Sequence, residues 1–158
     1  MKLRTSCMLA ILGLLALDTA FAGNIEFAEK WDSANGPGGD RCSINVEVTQ
    51  YEQIFDFKDA STNTCKNDQM TFFKLNNVPS SAEIGLYSEA KCRETNTPDW
   101  YFKLKTYKDP VSTAWIEIPG LEHVPPSGIV KAGLRRMSYV HNQGKIKGKL
   151  SCVSIHLY

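Results

Sequence analysis

Several short segments of the chain alternate apolar and polar residues, and this alternation constrains the fold more than any other feature. In the heptapeptide CSINVEV, which begins at Cys42, every second residue is apolar. YFKLK, from Tyr101, and KIKGKL, from Lys145, alternate in a similar way. A period of two places the apolar side chains on one face of a β-strand, as in the half-buried strands of antiparallel sheets. These segments are therefore predicted to be strands.

The rest of the chain also favours β structure. Clusters of Gly, Pro, Asn, Asp and Ser separate the apolar segments, and such clusters are typical of turns. Only residues 130–140 are ambiguous between helix and strand, and Gly133 weakens a helix there. The chain is therefore predicted to be all-β, an antiparallel sandwich or barrel. The further predicted strands are residues 25–29, 54–57, 70–75, 83–87, 114–118 and 153–157.

The N-terminus has the layout of a secretory signal peptide. Two basic residues precede an apolar segment at residues 8–17, and AFA at residues 20–22 is a small-x-small cleavage site. Residues 1–22 are therefore predicted to be a signal peptide and residues 23–158 a single secreted β domain. No other apolar run approaches the roughly 20 residues of a membrane-spanning helix, so we expect an extracellular protein with no membrane span.

The cysteines predict two disulfide bonds. Cys7 lies in the signal peptide, which leaves an even number of cysteines in an exported domain. A zinc site would want close cysteine pairs, and the intervals of 23, 27 and 60 residues between successive cysteines do not supply them. Three pairings are possible and all stay open at this point. The cysteines involved are Cys42, Cys65, Cys92 and Cys152.

Two pairs of segments in the chain have similar residue patterns. MTFFKL, at residues 70–75, and LSCVSI, at residues 150–155, share an order of aliphatic, hydroxyl and apolar positions. IEFAE, at residues 25–29, and IGLYSE, at residues 84–89, also correspond. Two similar supersecondary units would bury one core between them, which predicts a domain of two Greek-key halves stapled by the disulfides.

The segment before the first hydroxyl-bearing strand carries a family resemblance. Asn67, Asp68, Met70 and Thr71 match a motif of two Asn/Asp residues, any residue, an aliphatic residue and Ser/Thr, while Phe72 stands where a final serine belongs. This pattern resembles the βγ-crystallin family, whose domains are double Greek keys. The resemblance implies the same fold, and it implies that the motif could supply calcium ligands.

The second copy of the motif argues against a calcium site. Lys147 and Gly148 replace its Asn/Asp pair, although Leu150 and Ser151 are kept. Calcium requires six to eight oxygen ligands with compensating negative charge, and lysines repel it. We therefore expect no metal site and no cofactor. Instead, Thr71 and Ser151 are expected to form hydrogen bonds with neighbouring turns.

Catalytic motifs are scarce in the sequence. It contains no nucleophile-elbow G-x-S-x-G, no phosphate-binding glycine loop and no H-E-x-x-H. A histidine pair could cleave RNA by acid–base chemistry, and His123, His141 and His156 are the candidates. Nothing in their spacing places them together, so a small secreted hydrolase such as a ribonuclease is the alternative hypothesis, and a protein without enzymatic activity is favoured.

The candidate binding residues are basic and aromatic. Without the predicted signal peptide the chain has 16 basic and 16 acidic residues, and six of the basic ones follow residue 122, where no acid occurs. Such a surface could contact a polyanionic partner, although lysines also guard edge strands against aggregation. Trp100 could stack on a sugar, which would make the protein a carbohydrate-binding module. The tentative partner-binding residues are Arg135, Arg136, Lys145, Lys147, Lys149 and Trp100.

These patterns together predict a small secreted protein that acts by binding outside the cell. An effector, an elicitor of virulence responses or an antimicrobial toxin-like protein fits this description, and small exported βγ-crystallin-like proteins include such toxins and effectors. Its expected partner is an extracellular protein or the polyanionic surface of another cell. We expect it to be a monomer and expect no nucleic-acid partner.

Overall fold

The computed structural model describes residues 21–61 and 63–158, and these residues form a sandwich of two antiparallel β-sheets. Residues 1–20 of the predicted signal peptide lie outside the described residues. No α-helix occurs within the described ranges, which confirms the predicted all-β class. The elements are β1 (Phe21–Asp32), β2 (Gly36–Glu47), β3 (Glu52–Asp56), β4 (Phe72–Asn76), β5 (Glu83–Tyr87), the 3-10 helix η1 (Ala90–Cys92), β6 (Trp100–Thr106), β7 (Ile116–Glu117), the 3-10 helix η2 (Pro119–His123), β8 (Ile129–Lys131), β9 (Leu134–His141) and β10 (Cys152–His156).

The strand order shows two interlocked halves. The four-stranded sheet runs β2-β1-β4-β7, and the six-stranded sheet runs β3-β10-β5-β6-β9-β8. In each half a hairpin (β1–β2 or β5–β6) pairs with a returning strand (β4 or β10), while β3 and β7 join the sheet of the other half. The fourth strand returns beside the first, as in a Greek key. The similar segments at residues 25–29 and 84–89 contribute β1 and β5, and those at residues 70–75 and 150–155 contribute β4 and β10.

The alternation predicted from the sequence builds the core between the sheets. Along β6, every second side chain from Trp100 to Thr106 is buried. The apolar residues of β1, β2, β4 and β5 join the same cluster. Burying a large apolar side chain contributes about 1.5–3 kcal/mol, so this alternation accounts for much of the attraction between the sheets.

Residues 145–150 do not form the strand that their alternation predicts. They lie in a loop, because Gly144 and Gly148 adopt positive φ angles of 80° and 65° that end an extended conformation. Ile146 and Leu150 nevertheless enter the core, and the lysines between them are exposed. The alternating pattern therefore correctly predicts which side chains of this segment are buried, but it does not predict that the segment is a loop and not a β-strand.

The two other uncertain segments are resolved by sheet pairing. Residues 130–140 belong to the β8–β9 hairpin, whose turn contains Gly133 at a φ of 89°. In the second segment the inward side of the apolar pattern changes near Cys152, which a bulge or a strand buried on both faces would explain. The strand β10 pairs with β3 and β5 without a register shift. Its side chains from Cys152 to Ile155 are buried on both faces, because the core covers one face and η1 packs near the other.

The two predicted disulfides are present, and the structure selects their pairing. Cys42 on β2 bonds to Cys65, and Cys92 on η1 bonds to Cys152 on β10, each with a Cα–Cα distance of 5.1 Å. The first connects the β2 edge to the loop before β4. The second fastens the β5–β6 connection onto the outer face of the six-stranded sheet. Within residues 21–61 and 63–158, no helix has the length and apolarity needed to cross a membrane.

Candidate functional site

A cleft of about 330 Å³ lies on the outer face of the six-stranded sheet, and we call it the sheet groove. Strand alternation produces it, because the inward residues of β5, β6 and β10 fill the core and their neighbours point outward. The chain on either side of these strands builds its walls. Its lining residues are Glu52, Ile54, Glu83, Tyr87, Cys92, Glu94, Lys103, Ser154, His156 and Tyr158.

The floor of the groove requires a glycine in the middle of β5. A Cβ atom at Gly85 would clash with the ring of Tyr87 and would lie 2.5 Å from Ser154 Oγ. Glycine inside a strand commonly marks such a close approach. Gly85 thus lets the Tyr87 ring lie down against the sheet, where the residue is almost completely buried.

One wall of the groove is the β5–β6 connection, held down by the Cys92–Cys152 disulfide. From this segment the Glu94 carboxylate accepts a hydrogen bond of 3.3 Å from the Tyr87 hydroxyl, and Lys103 Nζ lies 2.6 Å from the same oxygen. Burial raises the pKa of Tyr87, although a hydrogen bond with Ser154 opposes the shift. Burial also acts to lower the pKa of Lys103, but the hydrogen bond and charge of Glu94 outweigh it and raise this pKa.

The opposite wall is aromatic and exposed. Tyr158 and Tyr51 are 68% and 61% exposed, and their rings meet edge to face at a centroid distance of 5.5 Å. Tyr51 also contacts the His156 ring, and Lys105 Nζ lies 5.1 Å from the Tyr158 ring centroid. His156 Nε2 is 3.8 Å from Glu52 Oε1. The groove therefore combines a polar floor with an accessible tyrosine wall.

Glu83 lies between the two walls. Cross-strand pairing sets it beside His156 on β10 and Lys105 on β6. Among the residues that the structure describes, no basic group forms an ion pair with its carboxylate, although the charge of Glu83 helps to raise the pKa of Lys103. Glu83 therefore retains hydrogen-bond acceptors that Glu94, which is paired with Lys103, does not.

A second cleft, of about 420 Å³, contains the motif that resembles the βγ-crystallins, and we call it the charged cleft. Its acids already have lysine partners: Glu29–Lys30 at 2.9 Å, Asp40–Lys66 at 2.9 Å and Asp68–Lys149 at 3.8 Å. In the part of the chain that the structure covers, no group of three or more His, Cys, Asp or Glu residues is placed to hold a metal ion. The cleft is lined by Glu29, Lys30, Asp40, Asp68, Gln69, Thr71, Lys147 and Gly148.

Within the charged cleft, the predicted role of Ser151 is confirmed. Its hydroxyl donates a hydrogen bond of 2.9 Å to Asp68 Oδ1 in the turn before β4. This contact joins the two copies of the motif. Thr71 is buried, and the hydrogen bond expected of its side chain stays a prediction.

The predicted basic residues do not form one row. Lys145, Lys147 and Lys149 are exposed in the loop before β10, whereas Arg135 lies on β9, beside Lys105 of β6. From Arg135 to the end of β9 the strand extends six residues, or about 20 Å, before that loop begins. The tertiary structure thus divides the basic segment into separate surfaces.

Two of the predicted binding residues are buried. Arg136 is 2% exposed, and its guanidinium carbon stacks 4.3 Å from the Tyr139 ring centroid. Trp100 is 0% exposed, packs on Phe102 and donates a hydrogen bond of 3.2 Å from Nε1 to the Lys145 carbonyl. These placements correct the prediction of surface contacts, because both side chains follow the inward alternation of their strands. Trp100 therefore presents no ring face to a sugar.

Two of the three histidines are too far apart to act as one acid–base pair. His141 on β9 and His156 on β10 are separated by β5 and β6, which is about 14 Å across the sheet. Along β9, the residue that lies in the same cross-strand row as His156 is Arg135. Arg135 is six residues, or about 20 Å, from His141 along that strand. His123 is exposed on η2.

His141 instead links β9 to η2 through Glu122, and this link predicts a pH effect. The Nδ1–Oε1 distance is 2.8 Å, and the hydrogen bond that His141 donates to the Glu122 carboxylate raises the pKa of His141 above its usual value of 6.5. The stabilisation is fully present below pH 6.5 and is lost as the pH rises through the raised pKa. We expect this near-surface pair to contribute about 0.5 kcal/mol more to unfolding free energy at pH 6 than at pH 8.

Urea unfolding of the parent protein and of the Glu122→Gln variant at both pH values measures this contribution. The variant should be less stable than the parent at pH 6 and should nearly match it at pH 8. An equal difference at the two pH values would contradict an ionic role for His141.

Apart from Cys92 and His156, the residues of the sheet groove were missed by sequence reasoning because they come from distant segments. Tyr87, Glu94, Lys103 and Tyr158 belong to β5, the β5–β6 connection, β6 and the residues after β10. One signal was available: Gly85 interrupts an otherwise apolar strand. That signal marks a close approach, but it does not name the side chain that approaches.

Comparison with known proteins adds no relative. No protein-family model matches the chain, and no curated protein and no solved structure matches it either. The function is therefore inferred from the chemistry of the sheet groove and the charged cleft.

Proposed function

We propose that this chain is a secreted binding protein without enzymatic activity, and that it holds its ligand in the sheet groove while acting on the surface of another cell. The observation that carries the proposal is the groove itself, whose floor is a paired sheet and whose wall is fastened by the Cys92–Cys152 disulfide. Rigid elements position a binding site more accurately than free loops do. An effector or toxin-like protein outside the cell would require this durability.

The disulfides support an extracellular role. Disulfides persist in oxidising compartments and are rare in the cytosol. The signal-peptide pattern of residues 1–22 points to the same compartment. A βγ-crystallin-like ancestry is part of the proposal, and the exchange of β3 and β7 between two Greek-key halves supports it.

The electrostatics of the groove favour binding over catalysis. Lys103 is paired with Glu94, and His156 lies near Glu52. A general base or nucleophile needs a pKa near the working pH and a free path to substrate, whereas the pKa values of Tyr87 and Lys103 are raised further from neutrality. These paired groups offer hydrogen bonds to a ligand, while their charges are mostly satisfied within the protein.

Retention on intact cells tests the proposal. The oxidised protein, labelled at the N-terminus of residues 23–158, is incubated with bacterial, fungal, plant and animal cells, and bound label is measured by flow cytometry. We expect saturable retention on at least one cell type. The double variant Glu83→Gln, Tyr158→Ala should lower this retention at least ten-fold, since it alters both the free acceptor and the aromatic wall.

The matched control is Lys147→Ala, Lys149→Ala at the charged cleft, which should retain binding within about two-fold. RNA and cell-wall polymers are incubated with the protein in parallel, and product is quantified per protein molecule. Retention that depends on the lysines and not on the groove would contradict the proposed site. Many product molecules per protein, lost in Glu94→Gln, would instead support the alternative of a hydrolase.

A further inference from the structure

We infer that the ligand of the sheet groove is a short neutral oligosaccharide. This inference rests on the proposed function, because it identifies the ligand class of the same groove. Three features carry it: the arrangement of charges in the lining, the position of an accessible carboxylate beside exposed tyrosine rings, and the size of the cleft.

The acidic lining and its internal pairing disfavour strongly charged ligands. The 2.6 Å Lys103–Glu94 contact occupies one lysine and one acid of the lining, and His156 lies 3.8 Å from Glu52. Lys105, which could attract a polyanion, lies over the Tyr158 ring instead. A polyanion would meet the three carboxylates of Glu52, Glu83 and Glu94 and would lose solvation without a matching partner. A polycation would meet Lys103 in the groove and Lys105 beside Glu83.

The hydrogen-bonding groups suit vicinal hydroxyls. The Glu83 carboxylate has two oxygens and forms no ion pair with the described residues, so it can accept hydrogen bonds from two neighbouring sugar hydroxyls. Hydrogen bonds to a charged acceptor are stronger than hydrogen bonds to a neutral one. Beside it, Ser154 on the floor can donate or accept.

The tyrosine wall suits the apolar face of a sugar ring. Tyr158 is 68% exposed and lines the groove, while its contact with Tyr51 holds its orientation. An aromatic ring with a polar rim is effective where one side of a ligand is apolar and its edge is wet. The C–H face of a pyranose and its equatorial hydroxyls have this character.

The volume limits the length of the ligand. About 330 Å³ lies at the lower end of the range of roughly 300–1,000 Å³ for small-molecule sites. The groove is therefore large enough for a small-molecule ligand such as a short oligosaccharide and too small for a folded polypeptide segment. A longer polysaccharide would extend beyond the Tyr158 end.

Titration with defined oligosaccharides tests the inference. The probes are di- and trisaccharides of glucose, N-acetylglucosamine, mannose and xylose, with heparin oligosaccharides, polyphosphate and oligolysine as charged comparators. Binding is followed by calorimetry and by changes in tyrosine fluorescence. We expect at least one neutral probe to bind more tightly than every charged probe, with little dependence on salt.

Variants test whether the neutral probe binds in the sheet groove. Glu83→Gln and Tyr158→Ala should each raise the Kd for the neutral probe at least ten-fold, whereas Trp31→Ala, on the other sheet, should leave it within about two-fold. Circular dichroism confirms that each variant is folded. Tighter binding to heparin or oligolysine than to every neutral probe would overturn the inference, as would failure of all neutral probes to bind.

Failure of this inference is distinguishable from failure of the proposed function. If groove-dependent retention on cells survives removal of their neutral glycans by glycosidases, the binding function stands and the ligand class is wrong. If no cell type retains the protein through the groove, and no probe binds, both are wrong.

Discussion

Replacing Cys92 and Cys152 together by alanine is expected to lower the free energy of unfolding by about 4 kcal/mol. The bond closes a loop with a sequence separation of 60 residues, and chain entropy of the unfolded state assigns about that value to such a loop. Urea denaturation of the parent and the variant, read by circular dichroism, measures the loss. The same variant should also weaken ligand binding, since this bond anchors the segment that carries Glu94.

The Cys42–Cys65 bond is the matched control for this prediction. Its sequence separation is 23 residues, so the corresponding double-alanine variant should lose about 3 kcal/mol. It should leave binding at the sheet groove unchanged, because neither cysteine lines that groove. A variant of Cys92 and Cys152 that is as stable as the parent, or that binds as tightly, would contradict the role assigned to this bond.

The second large effect is expected at Trp100. Trp100→Ala should lower the free energy of unfolding by about 4 kcal/mol, because the side chain is fully buried and its removal leaves a cavity against Phe102. The Lys145 carbonyl also loses its hydrogen-bond donor. The measurement is again urea denaturation, with near-ultraviolet circular dichroism reporting core packing.

Trp31 provides the comparison within the same chain. It is 49% exposed, so Trp31→Ala should cost less than about 1 kcal/mol. Equal losses at the two tryptophans would contradict the burial of Trp100. Loss of sugar binding without loss of stability in Trp100→Ala would restore this residue to the surface role that its sequence context suggested.

The fold class was accessible from the sequence because the relevant signals are local. In β6, the alternation of Phe102 and Leu104 with lysines directly reports which side faces the core. The echo between residues 70–75 and 150–155 marked two strands that occupy corresponding places in the two halves. Both signals depend on neighbours in the chain, which a sequence contains.

Local signals misled where a backbone requirement competed with them. The segment from Lys145 to Leu150 alternates as a strand would, yet Gly144 and Gly148 turn the chain at positive φ. The proximity of Arg135 and Lys145 in sequence suggested one basic surface, but an extended strand and a loop separate them. Trp100 shows the same limit, since its position after a turn could not tell an exposed ring from a buried one.

By itself, the sequence determined that this chain is an antiparallel β domain with four cysteines after residue 22 that could form disulfide bonds. Period-two burial and residue type are properties of short segments, so they can be read without a fold. Only the tertiary structure decided which cysteines pair, which aromatic side chains remain exposed and which residues form the sheet groove. Those outcomes depend on strand order and register, which bring Glu83, Glu94 and Tyr158 together from distant parts of the chain.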